Sequence, residues 1–213
     1  MPPRRPPAPA VAILVRHGRT PTTGKVLPGR APGLHLAPEG IAQAEAAAER
    51  IAALHRPPVA VYASPLERTM ETAKPIARRL GLRVRTERGL VECDVGDWTG
   101  RSLRALRRRR EWRTVQGLPS SFRFPGGESF AEMQARVVAA LDVLAERHAG
   151  QTFVAVSHAD PIRAAVATTA GVPLDLFQRV VVSTCSVSVL VRGDSASQVL
   201  CVNSTASLAD VAP

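Results

Sequence analysis

Apolar residues occur along this chain in short unbroken runs, separated by stretches in which they return every three or four positions. Val11-Ala12-Ile13-Leu14-Val15 is such a run, five apolar residues without alternation, the pattern of a strand covered on both faces as in a parallel sheet. Similar runs predict strands over 59–63, 82–86, 152–156, 187–191 and 198–202. Between the first two, Ile41, Ala44, Ala48, Ile51 and Leu54 recur at helical spacing, so a helix is predicted over 38–54, ending before Pro57-Pro58. Further helices are predicted over 66–80, with Gly81 as terminator, over 129–148 and over 160–170. Strands alternating with helices imply an α/β fold, a three-layer α/β/α sandwich on a mostly parallel mixed sheet, with the last strands antiparallel at an edge. Residues 87–127 are less regular, and loops of this length tend to be functional.

The 213 residues are 45% hydrophobic, enough for one sizeable core. The expected organisation is a disordered Pro/Arg-rich tail over 1–9 and a single domain over 10–213. No apolar stretch approaches the ~20 residues of a membrane span, and the amino-terminal segment lacks the apolar core of a signal peptide. A cytoplasmic protein without membrane contact is therefore expected. Three widely spaced cysteines, Cys93, Cys185 and Cys201, suggest neither a disulfide framework nor a zinc site. The formal net charge of +10 is carried almost wholly by arginine. Its densest cluster, 104–113, is predicted as a solvated helix face; binding of nucleic acid there is the weaker reading. The apolar edge strand near the carboxyl terminus leaves pairing with a second copy, a homodimer, open.

If the strands run parallel, each carboxyl end delivers polar residues to one rim, where ligands of such sheets sit. Arg16 and His17 leave the first strand, Ser64 to Arg68 the second, Glu92 lies beyond the third, and Ser157-His158 leave the fourth. Arginines and histidines offer donors for phosphoryl oxygens, one histidine nitrogen can act as nucleophile, and Glu92 can carry a proton. A metal site fits less well, because guanidinium groups would repel the cation. His35, His55 and His148 lack partner motifs and are read as surface or capping residues. Cys93, Trp98 and Trp112 are read as structural.

Arg16-His17-Gly18, Ser64-Pro65-Leu66-Glu67-Arg68-Thr69, Glu92 through Trp98-Thr99-Gly100, and Ser157-His158-Ala159 together resemble the histidine phosphatase superfamily, in its phosphoglycerate mutase-like branch. Leu36-Ala37-Pro38-Glu39-Gly40 and Gly126-Gly127-Glu128-Ser129 are similar to family segments flanking the pocket. The resemblance implies a metal-free, cofactor-free enzyme that forms a phosphohistidine. His17 would be the nucleophile, Arg16, Arg68 and His158 the phosphate clamp, and Glu92 the acid. Thr23 stands where many members carry asparagine, and Ala159 where glycine is common; both keep a donor for the substrate phosphate. Arg30 is a candidate for the non-reacting part of a small phosphorylated substrate. The leading expectation is a phosphomonoesterase. A cofactor-dependent phosphomutase is the alternative, disfavoured because the segment after the last strand is short for a lid, and a non-catalytic phosphate sensor is a third reading.

Overall fold

The computed structural model describes residues 8–193 and 197–205. The expected tail over 1–9 falls, except for Ala8 and Pro9, outside the described residues, as does the segment after Thr205.

The central sheet has six strands: β1 (Ala10–Arg16), β3 (Ala60–Ala63), β4 (Val84–Thr86), β6 (Thr152–Ser157), β7 (Val187–Arg192) and β8 (Gln198–Ser204), in the order β4-β3-β6-β1-β7-β8. β4, β3, β6 and β1 run parallel, while β7 and β8 run antiparallel to their neighbours. A separate two-stranded ribbon, β2 (Val26–Leu27) with β5 (Arg101–Ser102), lies outside this sheet. Neither of its strands was foreseen, since two residues carry no detectable period.

The unbroken apolar runs are explained by burial on both faces. Ile13, Val15, Val61, Ala63, Val154 and Val156 share one core with α1 (Pro38–Ala52) and α2 (Glu67–Arg79). The alternate residues Ala12, Leu14, Ala60, Tyr62, Phe153 and Ala155 point into a second core with α5 (Phe130–Arg147) and α6 (Ala159–Thr169). The period of two thus sorts each strand between two helical layers.

Helix ends follow local chemistry. α1 starts with Pro38 in its first turn. α5 starts with a capping box, Ser129 accepting from the Glu132 amide while Glu132 accepts from that of Ser129. The stripe on α1 differs from expectation: Ile41 is exposed, and Gly40, Ala44, Ala47, Ala48 and Ile51 form the buried face. A Cβ on Gly40 would stand 2.1 Å from the Arg19 carbonyl oxygen, so small residues let α1 approach the chain leaving β1. The arginine cluster also differs from a continuous helical face. α3 (Leu103–Leu106) and α4 (Glu111–Gly117) are short and are interrupted at 107–110. His148 stands at the carboxyl cap of α5, in line with the capping reading, but it is buried there rather than at the surface, with Nε2 3.0 Å from the Tyr62 hydroxyl.

Candidate active site

Strand register brings the polar residues to one level. Arg16 lies opposite Ser157, and Ala63 opposite Val156. The His17 amide then donates to the Ser157 carbonyl (2.9 Å) and the Ser64 amide to that of Val156 (3.0 Å). Three successive parallel strands therefore end together in His17, Ser64 and His158. The chain beyond β4 is tied to the same rim: the Glu87 amide donates to the Ala63 carbonyl (2.8 Å), and the Ser157 hydroxyl to that of Leu90 (2.6 Å).

The His17 and His158 rings lie edge to face with centroids 5.2 Å apart. His17 is 5% exposed, and its Nδ1 lies 2.8 Å from the Gly18 carbonyl oxygen. A carbonyl only accepts, so Nδ1 carries the proton and Nε2 keeps the lone pair. Burial, then the Arg16 and Arg68 charges, hold the His17 pKa well below the ordinary imidazole value, which keeps the ring neutral. Burial and the charges of Arg68, His17 and Arg16 do the same to His158. His158 occupies the amino-cap position of α6 without a side-chain capping bond; its Nε2 shares a 2.8 Å hydrogen bond with the Ser64 hydroxyl.

Arg68, in the first turn of α2, is wholly buried. One of its nitrogens donates to the Gly29 carbonyl (2.8 Å), while Nε and Nη1 have no partner. Arg16 donates from Nη1 to the Val182 carbonyl (2.7 Å) and leaves Nε unpartnered, and His158 Nδ1 is likewise unpartnered. Unsatisfied buried donors are costly, and this concentration around one imidazole is the arrangement that an oxyanion with several lone pairs would satisfy.

The Glu92 side chain is 14% exposed, with Oε2 4.0 Å from His158 Nδ1 and Oε1 accepting from the Cys93 amide (2.9 Å). Burial, followed by the nearby Asp160 charge, pushes its carboxyl up to about 7, against the pull of the Cys93 amide, Arg68 and Arg16. A carboxyl there can both give and take a proton near neutrality.

Glu92 is carried by a clamp that sequence reasoning missed. Arg136 of α5 donates to the carbonyls of Gly89 (2.8 Å) and Val91 (2.9 Å) and holds both oxygens of Glu128 (2.8 and 2.9 Å). Glu128 in turn accepts from the Asp94 amide (3.0 Å). Arg30 completes the frame, donating to the Glu92 carbonyl (2.8 Å), Glu128 (2.8 Å) and Asp94 (3.4 Å). The Arg30 guanidinium, expected to meet the non-reacting part of a substrate, holds the segment around Glu92 through these bonds. Thr23 is also spent locally, its hydroxyl accepting from the Thr20 amide (2.9 Å) and pairing with the Thr20 hydroxyl (3.0 Å). Ala159 is the first residue of α6, at the rim. Thr72, also unforeseen, accepts from the Gly18 amide (3.0 Å) and so fixes the turn after His17.

Among the described residues no cluster of three or more His, Cys, Asp or Glu side chains could hold a metal ion. The family model for the Histidine phosphatase superfamily (branch 1) matches residues 12–205. The chain belongs to this superfamily. Among its relatives within it is Phosphoserine phosphatase 1 of Hydrogenobacter thermophilus, 32% identical over 203 residues that cover 93% of this chain and 94% of that protein. A Probable phosphoglycerate mutase GpmB of Yersinia enterocolitica is 34% identical over 180 residues, covering 83% and 82%. Among solved structures, mycobacterial glucosyl-3-phosphoglycerate phosphatase Rv2419c with VO3 superposes with a TM-score of 0.78 at 26% identity, over 92% of this chain and 99% of that one. The histidine phosphatase fold thus comprises the whole six-stranded sheet, with the arginine–histidine cluster at its carboxyl rim.

Proposed function

We propose that the protein is a phosphomonoester hydrolase working through a phosphohistidine at His17. The observation that carries this reading is the set of unpartnered buried donors, Arg16 Nε, Arg68 Nε and Nη1 and His158 Nδ1, around a neutral imidazole whose Nε2 is free to attack. In the first half-reaction Nε2 bonds to phosphorus as the ester P–O bond breaks, and protonated Glu92 gives its proton to the departing alcohol. Arg16, Arg68 and His158 hold the equatorial oxygens throughout. In the second half-reaction ionised Glu92 takes a proton from water as its oxygen displaces the imidazole, releasing inorganic phosphate. The cycle invokes no metal ion, and activity that survives chelators is the expected result.

The relatives named as phosphatases favour hydrolysis. The relative named as a probable mutase keeps a second outcome, return of the phosphoryl group to another hydroxyl. No helix among the described residues is long and apolar enough to cross a membrane. We place the protein in the cytoplasm on its three free thiols, and a second copy would pair at the outer edge of β8, where Leu200 and Val202 are exposed.

The test is cleavage of a chromogenic aryl phosphate in chelator, with and without His17→Ala, followed by acid-sensitive trapping of phosphoenzyme and mapping of its position. Release of inorganic phosphate that vanishes in the variant supports the proposal. Undiminished cleavage by a folded His17→Ala protein removes the covalent route, and phosphoryl return without phosphate release favours the mutase.

A further inference from the structure

Two imidazoles stand at the rim, and they have opposite tasks. His17 has to present a lone pair, whereas Nδ1 of His158 has to present a hydrogen if it is to hold a phosphoryl oxygen. Both rings are buried and held neutral, so each distributes one proton between two nitrogens. The group behind each ring decides which nitrogen has it. Behind His17 stands a pure acceptor, the Gly18 carbonyl, 2.8 Å from Nδ1. Behind His158 stands the Ser64 hydroxyl, 2.8 Å from Nε2, which can either give or take a hydrogen.

The surroundings of Ser64 decide between the two. The residue leaves the end of β3 beside His158 at the end of β6 and is wholly buried. Its amide donates to the Val156 carbonyl (3.0 Å), and the Thr69 hydroxyl lies 2.9 Å from its own carbonyl oxygen. A second donor already points at the hydroxyl oxygen, the Leu66 amide at 3.5 Å. Among the described residues, His158 Nε2 is the one acceptor within reach of the Ser64 hydrogen. With Nε2 protonated, the Ser64 oxygen would receive two donors while its own buried hydrogen went unmatched, which is costly. Nor does Glu92 impose the opposite arrangement by giving a proton to Nδ1. Its Oε2 stands 4.0 Å away, beyond hydrogen-bond reach, and Nδ1 has no partner.

We propose that Ser64 is a positioning residue: its hydroxyl donates to Nε2 of His158 and thereby makes Nδ1 the nitrogen that offers a hydrogen to the phosphoryl oxygens. This role rests on the hydrolase reading of the site. The two rings then share one tautomer and differ in the side turned to the reaction, His17 showing its bare Nε2 and His158 its protonated Nδ1. Without the hydroxyl, the proton of His158 can settle on Nε2, and Nδ1 would then turn a lone pair toward an anion.

The experiment is a long-range proton–nitrogen correlation spectrum of the full chain carrying isotope-labelled histidine, near neutral pH, with the ring signals assigned through their bonds to the backbone. Protonated and bare ring nitrogens resonate far apart in such a spectrum. The expected result for His158 is a protonated Nδ1 and a bare Nε2. A protonated Nε2, with or without a proton on Nδ1, overturns the role of Ser64. The kinetic arm is Ser64→Cys, which nearly keeps the size of serine but replaces the hydroxyl with a weak donor. Its kcat/KM for a chromogenic aryl phosphate should fall about tenfold, the weight of one neutral hydrogen bond, and part of the His158 proton should move to Nε2 in its spectrum. An undiminished kcat/KM in the cysteine variant also overturns the role. His17-dependent turnover by an unaltered chain whose Nε2 is protonated removes Ser64 and leaves hydrolysis standing. Absence of that turnover beside a protonated Nδ1 overturns the hydrolase reading instead. The spectrum of the unaltered chain decides the matter where Ser64→Cys fails to fold.

Discussion

Replacing Glu92 with glutamine should stabilise the protein at alkaline pH while destroying its activity. Glutamine keeps the shape and dipoles of the protonated carboxyl but cannot ionise. In the folded chain the carboxyl is pushed from 4.5 up to about 7, whereas in the unfolded chain it ionises near its ordinary value. A group whose folded pKa is raised contributes its full stability below the unfolded pKa and loses it as pH rises through the folded one. The unaltered protein should therefore lose stability relative to the variant between about pH 4.5 and 7, and the gap should then stay level. At about 1.4 kcal/mol per pH step, the interval amounts to about 3 kcal/mol, or roughly 6–12 °C in Tm for a chain of this size. Denaturant titrations of both proteins at pH 5, 6, 7 and 8.5 measure it. The same ionisation should bring kcat/KM down on the alkaline side of about pH 7, because the acid needed for the first half-reaction is lost. A stability difference that does not change with pH, or one that favours the unaltered protein at pH 8.5, would refute the account of Glu92 as a carboxyl held neutral by burial and Asp160.

Arg68→Lys keeps the charge but not the planar fork, and kcat/KM should fall about 10²- to 10³-fold; an assay showing less than a tenfold loss counts against two-point contact with the phosphoryl oxygens. Arg136→Lys should loosen the segment carrying Glu92, lowering kcat about ten- to a hundredfold, with little change in KM and a displaced alkaline limb of the pH profile. A proportionate rise in KM with an unmoved limb would mean that Arg136 does not position the acid. Gly40→Ala drives a Cβ to 2.1 Å from the Arg19 carbonyl oxygen, so about 1–3 kcal/mol of stability should be lost, read as a fall in Tm. An unchanged Tm would show that the chain after β1 and α1 can separate at little cost.

Sequence alone determined the six strands of the central sheet, because a run buried on both faces needs consecutive apolar residues wherever it sits, and it determined the four long helices α1, α2, α5 and α6 through their spacing and end chemistry. Arg16, His17, Arg68, Glu92 and His158 were legible for a related reason: each follows a strand that a parallel sheet must end at one rim. Only the tertiary structure decided what surrounds them. The commitment of Arg30 and the burial of His148 against Tyr62 depend on partners 62 to 98 positions away, the backbone groups held by the Arg136–Glu128 clamp lie 34 to 47 positions from it, and the exposure of Ile41 depends on how closely α1 approaches the chain leaving β1. A local pattern records which face of an element is apolar. Which guanidinium finds an acid, and which is left with donors to spare, is settled by distances across the fold that no neighbouring residue encodes.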